Sequence, residues 1–514
     1  SDMVPSRLMT ASLALVLLTW CPTFALKFIQ PKPAGHRVVR NLQGYGSTGR
    51  VQIARFATVG LESEVGARTS IEKKAAFMDW LEQNGVQSDT AEVGRADASR
   101  GSGMGIRLKK KVGKGDKVVA VPLQLCMTVE TARSSAVGPL LENFDGWTGA
   151  TGIIAAQLLF EKSQGARSKF FPWIELLPPA RTPGALELPL FGGMAGVDKC
   201  STRPIKDLED EVTEDFEWLS EQEEVSLLSA DLEAWRWAVG IVLSRSFFVH
   251  GGTCLAPLVD FANHDPANLR EISGGFVGIP PFAKKAVCIF SDRPFAAGEE
   301  LTVNYGRRSG ACYLEEYGFV PPNDLDENCL VELVFGLDEK DRFFDDKADV
   351  LEQQELDMSA SFDLGFGSEA DPDMVQFLRL SCLKGADAFL LEPVFSNELW
   401  GFMSYPVSEE NERAVGNLVL SRCRTALATL RAEEADEPSQ GLGPAVISVR
   451  QGEIRALQAT VSWWTRDLEL LNLKQYYQER RLKELNLDKE WSPEDGQTES
   501  SFSGGRAPGN VDWS

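Results

Sequence analysis

The 514-residue sequence holds only three histidines, and its nine cysteines are scattered with no C-x-x-C pair among them. Those spacings write no zinc cluster, and a sparse, odd-numbered set is unlike a disulfide framework, so a reducing compartment is favoured over the extracellular space. Basic residues are also in deficit: 52 Lys and Arg stand against 75 Asp and Glu, giving a net charge of −23 and a pI near 4.7. Such a balance argues against a binder of phosphate backbones and points to a protein or small-molecule partner. Internal repeats are absent. What remains, 43% apolar and 9% aromatic residues over this length, reads as a globular protein of two or three domains with a sizeable core.

The first residues are of different material. Leu8 to Cys21 reads LMTASLALVLLTWC behind Arg7, too short a run to span a bilayer comfortably, and Thr23-Phe24-Ala25 follows as a small-residue cleavage signature. Residues 1–25 are therefore expected to be a signal peptide. Residues 26–61 carry Lys27, Lys32, Arg37, Arg40, Arg50 and Arg55 with no acidic residue, which is transit-peptide-like. Together they resemble the bipartite presequences of algae with complex plastids, although Leu26 stands where such presequences usually place an aromatic. A plastid stroma is expected, with the secretory pathway as the alternative, and no membrane association after processing.

Residues 259–322 carry the chemistry. VDFANHDP, Val259 to Pro266, sets Asn263 beside His264 after an apolar, strand-like stretch; GEELTVNYG ends a strand pattern on Tyr305; YLEEYGFVPP runs from Tyr313 to Pro322. Polar groups able to grip a charged cofactor thus sit near a phenol, which suggests group transfer. Upstream, SRGSGMGIRLKKKVGKGDKVVAVP, Ser99 to Pro122, reads as a hairpin with a glycine-rich approach at Gly101, Gly103 and Gly105, residues that let a backbone come close to a ligand. WAVGIVLSRSF, Trp237 to Phe247, places Arg245 at the end of an apolar run.

In this order and spacing the segments resemble the SET-domain methyltransferases, in the branch typified by the Rubisco large-subunit lysine methyltransferases. Asp260, Asn263 and His264 fall on that family's D-x-x-N-H motif, Tyr305 on its catalytic tyrosine, and Tyr317, Gly318 and Phe319 on its closing YGF. The resemblance implies an α+β fold: a β-rich SET domain at 69–322 with a helical insertion at about 128–239, then an all-helical substrate-binding domain at 323–488 and a disordered tail at 489–514. It implies S-adenosylmethionine as cofactor, bound by Ser102, Gly103, Met104, Arg245, Asn263, His264 and Phe319. Tyr305 would be catalytic, Asp260 and Tyr317 would lie on the substrate side, and no metal is expected. Arg245 would pair with the cofactor's carboxylate and Phe319 would pack on its adenine. Relatives often read Ser-Asn-Ala-Glu after the tyrosine where this chain has Ser309, Gly310, Ala311 and Cys312, which alters the surroundings of the substrate opening.

Protein-lysine N-methylation is the function this implies, on the Rubisco large subunit or another stromal protein, by a monomer. A catalytically silent scaffold and a non-lysine acceptor such as histidine remain as alternatives. Two local expectations come from pattern alone. Thr69 and Glu72 form a capping box for a helix stopping at Asn84-Gly85, and Ile454, Leu457, Val461, Trp464, Leu468 and Leu471 lay an apolar stripe along a helix from about 450 to 487. The acidic stretch Asp338 to Asp373 reads as a solvated loop or mobile insertion.

Overall fold

Thr69 and Glu72 do close the capping box on α1 (Ser70–Gln83): Thr69 N donates to Glu72 Oε2 at 2.7 Å and Glu72 N to Thr69 Oγ1 at 3.3 Å. The helix ends at Asn84, with Gly85 in the left-handed region at φ 73°. The computed structural model describes residues 69–97, 103–179, 187–205, 207–268, 272–278, 282–321, 329–365, 370–392, 398–436 and 442–484. Ser102, the expected presequence (1–61) and the tail (489–514) lie outside the described residues.

Three short strands follow α1: β1 (Ala91–Arg95), β2 (Met104–Leu108) and β3 (Lys117–Pro122). After β4 (Met127–Thr128) comes the helical insertion, with α2 (Val129–Arg133), α3 (Gly149–Ser163), α4 (Phe171–Ile174), α5 (Asp207–Ser220) and α6 (Leu232–Arg245). The chain then returns to β structure in β5 (Ser246–Val249), β6 (Gly252–Leu255), β7 (Asn263–His264), β8 (Ser273–Val277), β9 (Lys284–Phe290) and β10 (Glu300–Val303), and closes with α7 (Gly310–Tyr317). The C-terminal module holds β11 (Leu330–Gly336), α8 (Phe344–Gln353), β12 (Ser359–Gly365), α9 (Pro372–Ser381), α10 (Leu399–Met403), α11 (Glu409–Asp436), α12 (Pro444–Glu469) and α13 (Tyr477–Glu484).

The strands sort into small sheets ordered β1-β2-β10-β7, β3-β9-β8 and β4-β6-β5, with β11-β12 apart. The single hairpin expected over 99–122 is corrected here: β2 pairs with β1 and β10, while β3 pairs antiparallel with β9. Val118 to Val121 are all buried, and a strand covered on both faces belongs inside the fold rather than in a two-stranded surface ribbon. The insertion separates β4 from β5 in sequence, yet both flank β6, so α6 delivers its last residue straight into a sheet edge. One core, around Phe77, Ile106, Val119, Trp173 and Trp235, joins the sheets to the insertion.

A second core, around Phe335, Leu351, Phe377, Leu399 and Leu457, organises the C-terminal module. That module is helical apart from β11 and β12, which pair antiparallel from Leu330↔Gly365 to Gly336↔Ser359. The stretch expected as a loop, Asp338 to Asp373, instead contributes α8 and β12. Its surface carboxylates mask Val350, Leu351, Phe362 and Leu364, which are buried. The long C-terminal helix stops at Glu469, followed by a 3₁₀ turn and α13, while Leu457 and Trp464 of its stripe are buried as expected.

The two modules meet through a small apolar cluster, including Ile205, Leu314 and Val449, and a buried polar network. Glu453 of α12 accepts Ser201 Oγ and, at 2.8 Å, Thr202 N; Arg203 Nε reaches Glu315 Oε2 at 2.6 Å and its Nη1 reaches Glu332 Oε2. Burial pushes the Glu453 carboxyl up to about 7, against the lowering effect of those donors. A carboxyl raised on folding contributes stability that is fully present below its ordinary value of 4.5 and is lost as pH rises from there through 7; a shift of this size corresponds to at most about 3 kcal/mol. Glu453→Gln keeps the shape and carries no charge, and Ser201 can turn its hydroxyl to accept. We therefore expect the variant to melt a few degrees above the parent at pH 8 and beside it only at about pH 4, below the ordinary glutamate value, read by calorimetry. Equal melting at pH 8 would remove Glu453 as the source.

Candidate active site

The site grows from a strained turn. Leu258, fully buried, takes φ 74°, a conformation costly for a bulky side chain (about 1–3 kcal/mol) that only a tightly determined environment sustains. It leads into a 3₁₀ turn at Val259–Phe261, not the strand expected there, and the turn sets Asp260 inward. Arg245, the last residue of α6, donates from Nη1 to Asp260 O at 2.8 Å and stands 3.6 Å from Asp260 Oδ2; Trp173 Nε1 donates to the same oxygen at 3.2 Å. The Asp260 side chain has no exposed surface, and burial lifts its carboxyl to about 6 although Arg245 opposes the shift. Asp260 was expected on the substrate side. In the structure its carboxyl is sealed from solvent and lies against Arg245.

Directly after the turn, β7 pairs in parallel with β10, Asn263 against Thr302 and His264 against Val303. This brings both motif residues to the strand that ends at Tyr305. Asn263 Nδ2 donates to Met104 O at 3.1 Å and to Glu300 Oε1 at 2.7 Å, leaving the amide oxygen without a partner among the described residues. Glu300, only 2% exposed, accepts Asp97 N at 2.7 Å on its other oxygen. The contact requires glycine at 105, where a Cβ would lie 2.4 Å from Glu300 Oε1 and 3.0 Å from Asn263 Nδ2. At Gly103 a Cβ would meet nothing within 4 Å, so open space adjoins this backbone.

His264 Nδ1 accepts Tyr305 N at 3.2 Å, which places the proton of the neutral ring on Nε2, 3.4 Å from Tyr313 Oη. Its ring lies 5.2 Å from Tyr305, 5.1 Å from Tyr313 and 6.0 Å from Phe319. Tyr305 and Tyr317 pack at 4.7 Å with their rings tilted by 32°, and Phe319, 37% exposed, is 6.2 Å from Tyr317. The phenol of Tyr305 donates to Ala262 O at 2.8 Å; burial pushes it up to about 12, with Arg245 opposing and Asp260 and Glu300 adding to the shift. At any physiological pH this hydroxyl is a neutral donor inside an aromatic wall.

Of the residues singled out in the sequence, Met104, Arg245, Asn263, His264, Tyr305, Tyr317 and Phe319 converge here, with Gly103 beside them. Sequence reasoning missed Glu300 and Tyr313. Tyr313 is legible as the i, i+4 partner of Tyr317 on α7, and its hydroxyl ties Gly306 O at 2.7 Å. Gly310 and Cys312 do not face Tyr305: Cys312 Sγ lies 3.6 Å from Arg308 Nη1 and 3.5 Å from Glu316 Oε1, and those two residues are themselves ion-paired. Burial pushes the Cys312 thiol up to about 12, so it is a neutral filler of that pair.

An amide oxygen on Asn263 with no partner among the described residues, a buried Arg245 Nε likewise without one, and no atom of the described residues within 4 Å of a Cβ at Gly103 suit a polar, charged cofactor. Fold and site together define a methyl-group transferase of the SET class. The chain matches the SET domain family over residues 103–306 and the Rubisco LSMT substrate-binding family over 338–443. It is 30% identical over 435 residues to the chloroplastic [fructose-bisphosphate aldolase]-lysine N-methyltransferase of Arabidopsis thaliana, covering 80% of this chain and 87% of that one. Identity is 29% to the chloroplastic ribulose-1,5 bisphosphate carboxylase/oxygenase large subunit N-methyltransferase of Nicotiana tabacum, over 80% and 85% of the two chains. An actin-histidine N-methyltransferase of Xenopus tropicalis matches at 26%, over 70% of this chain and 63% of its own. The fold matches the crystal structure of LSMT bound to lysine and AdoHcy with a TM-score of 0.64, at 23% identity over 82% and 98% of the chains. The protein belongs to the Rubisco LSMT-like SET-domain methyltransferases.

Proposed function

We propose that the protein methylates a lysine side chain of a non-histone protein in the plastid. The observation that carries this reading is the neutral Tyr305 phenol, fixed on Ala262 O and packed against Tyr317 at the end of the strand that pairs with Asn263-His264. S-adenosylmethionine supplies an electrophilic methyl on a sulfonium, so the protein's task is to hold donor and amine in line and away from water. Gly103, Met104, Asn263 and His264 bind the cofactor, together with Ser102, and Asn263 offers its free amide oxygen. Arg245 holds the cofactor's carboxylate end with the guanidinium face that Asp260 leaves free, and Phe319 covers the adenine. Tyr305 aligns the amine, and Tyr317 walls the substrate side. The SET domain spans 69–322 and the substrate-binding domain 323–488, with residues 1–61 directing import. Lysine is favoured over histidine because the relatives above 28% identity include two plant chloroplastic enzymes, one of them named for lysine.

The direct test incubates protein lacking residues 1–61 with methyl-labelled S-adenosylmethionine and stromal extract, then identifies the labelled residue by mass spectrometry. Methyl-lysine in a stromal protein is expected. Methyl-histidine would transfer the reading to the acceptor class of the actin enzymes, and cofactor binding without transfer would make the protein a scaffold. A fusion of residues 1–65 that stays in the secretory pathway would defeat the plastid assignment.

A pH dependence also follows. A lysine amine, reference pKa about 10.4, must lose its proton to attack, whereas Tyr305 stays protonated up to about 12. kcat/KM should therefore rise across pH 7–9.5, by as much as about tenfold per unit below the acceptor's pKa, with no alkaline fall from the phenol. A decline above pH 9 that tracks phenolate absorbance and vanishes in Tyr305→Phe would contradict it.

A further inference from the structure

Apart from the aromatic site, a cavity of about 1170 Å³ opens between the helical insertion and the C-terminal module. Leu208 and Leu243 floor it on one side; Val334, Leu356, Phe362 and Trp400 floor it on the other. Val334 is 59% exposed on β11, a large apolar side chain left uncovered in the middle of a strand. Seven carboxylates and two guanidiniums line the space. Arg203 is committed to Glu315 and Glu332, and Glu316 is held by Arg308. Asp207 and Glu211 on the insertion wall, and Asp357 and Asp373 on the facing wall, have no ion pair among the described residues. Burial raises the Glu211 carboxyl, with Asp207 and Asp215 adding to the shift and Arg203 opposing it. At one end the cleft reaches Glu315 and Glu316, immediately before Tyr317 in α7.

We propose that this cleft docks the protein substrate through a segment that presents an apolar side chain flanked by arginine or lysine. The inference rests on the methyltransferase reading and names the chemistry its substrate must carry. Apolar walls from both modules supply contact area, while facing pairs of unpaired carboxylates select cations and reject the acidic surface of a second copy of this chain, whose net charge is −23. The position beside α7 lets a docked segment feed its neighbouring lysine toward Tyr305 and Tyr317. Carboxylates at an open cleft act through water, so the attraction must weaken with salt.

The test uses a fluorescein-labelled decapeptide of alternating arginine and leucine, which offers no acceptor lysine, and its glutamate-leucine counterpart, titrated with the protein by anisotropy. The arginine peptide is expected to bind, with Kd rising severalfold between 50 and 300 mM NaCl, and the glutamate peptide is expected not to. Asp207→Lys/Glu211→Lys should raise Kd at least tenfold while leaving the S-adenosylmethionine Kd unchanged. Asp357→Lys/Asp373→Lys on the opposite wall should do the same, and serves if the first pair does not fold. Equal binding of both peptides, or unchanged binding by the folded charge-reversed variants, overturns the proposal. Loss of cofactor binding in the parent protein would instead fell the methyltransferase reading and leave the peptide result standing.

Discussion

Tyr305→Phe should lower kcat for methyl transfer by about a hundredfold, roughly 2.7 kcal/mol of transition-state stabilisation, while S-adenosylmethionine Kd stays within about twofold. The reasoning is geometric. The substitution removes one hydroxyl and keeps the ring, which Tyr317 at 4.7 Å and His264 at 5.2 Å hold in place whether or not the oxygen is present. The bond to His264 Nδ1 is donated by the main-chain N–H of Tyr305, not by its phenol, and survives, so the Asn263-His264 strand keeps its register against β10. What is lost is the neutral hydroxyl fixed on Ala262 O, the group proposed to orient the amine. Transfer of labelled methyl to stromal protein, beside calorimetry of cofactor binding, separates the two effects. Activity within about twofold of the parent would show that Tyr305 is packing. A matching loss of cofactor affinity would show that the ring had moved.

The chemistry of this site was legible because its residues are close in sequence and few of their kind. His264 is one of three histidines, and the segments around Asn263, Tyr305 and Tyr317 fall within about sixty residues. Their convergence through the parallel pairing of β7 with β10 was not legible, since a two-residue strand gives no periodic signal. The burial of Asp260 was not legible for a related reason. A motif aspartate reads as polar and ligand-facing, and only the turn through Leu258, together with the Trp173 and Arg245 contacts, reveals that it is sealed. The α1 cap and the burial of Leu457 and Trp464 depend on local spacing alone and came through, although the helix carrying that stripe stops at Glu469. β12 did not, because Asp363 and its acidic surroundings hide the buried alternation of Phe362 and Leu364.

Glu300 is the residue that sequence reading passed over and geometry promotes. Its two oxygens each accept from a donor, Asn263 Nδ2 at 2.7 Å and Asp97 N at 2.7 Å, and both must be acceptors for the arrangement to hold. A glutamine at 300 has the same shape but only one acceptor, so its amide nitrogen must face one of those donors, and a buried donor left unmatched costs about 1–3 kcal/mol. Asp97 N belongs to the backbone and cannot turn. Asn263 can, by exchanging its amide oxygen and nitrogen, and in doing so it withdraws the oxygen offered to the cofactor and loses its bond to Met104 O. Glu300→Gln should therefore weaken S-adenosylmethionine binding by about ten- to a hundredfold, with kcat at saturating cofactor reduced far less. Asn263→Ala should give a similar loss, and in its background the further change Glu300→Gln should add almost nothing, because the group that Glu300 orients is gone. A merely structural Glu300 would behave otherwise: the two losses would add, and kcat would fall alongside affinity. Calorimetric titration of the parent, both single variants and the double variant decides between these outcomes, with thermal melting to confirm that each protein is folded.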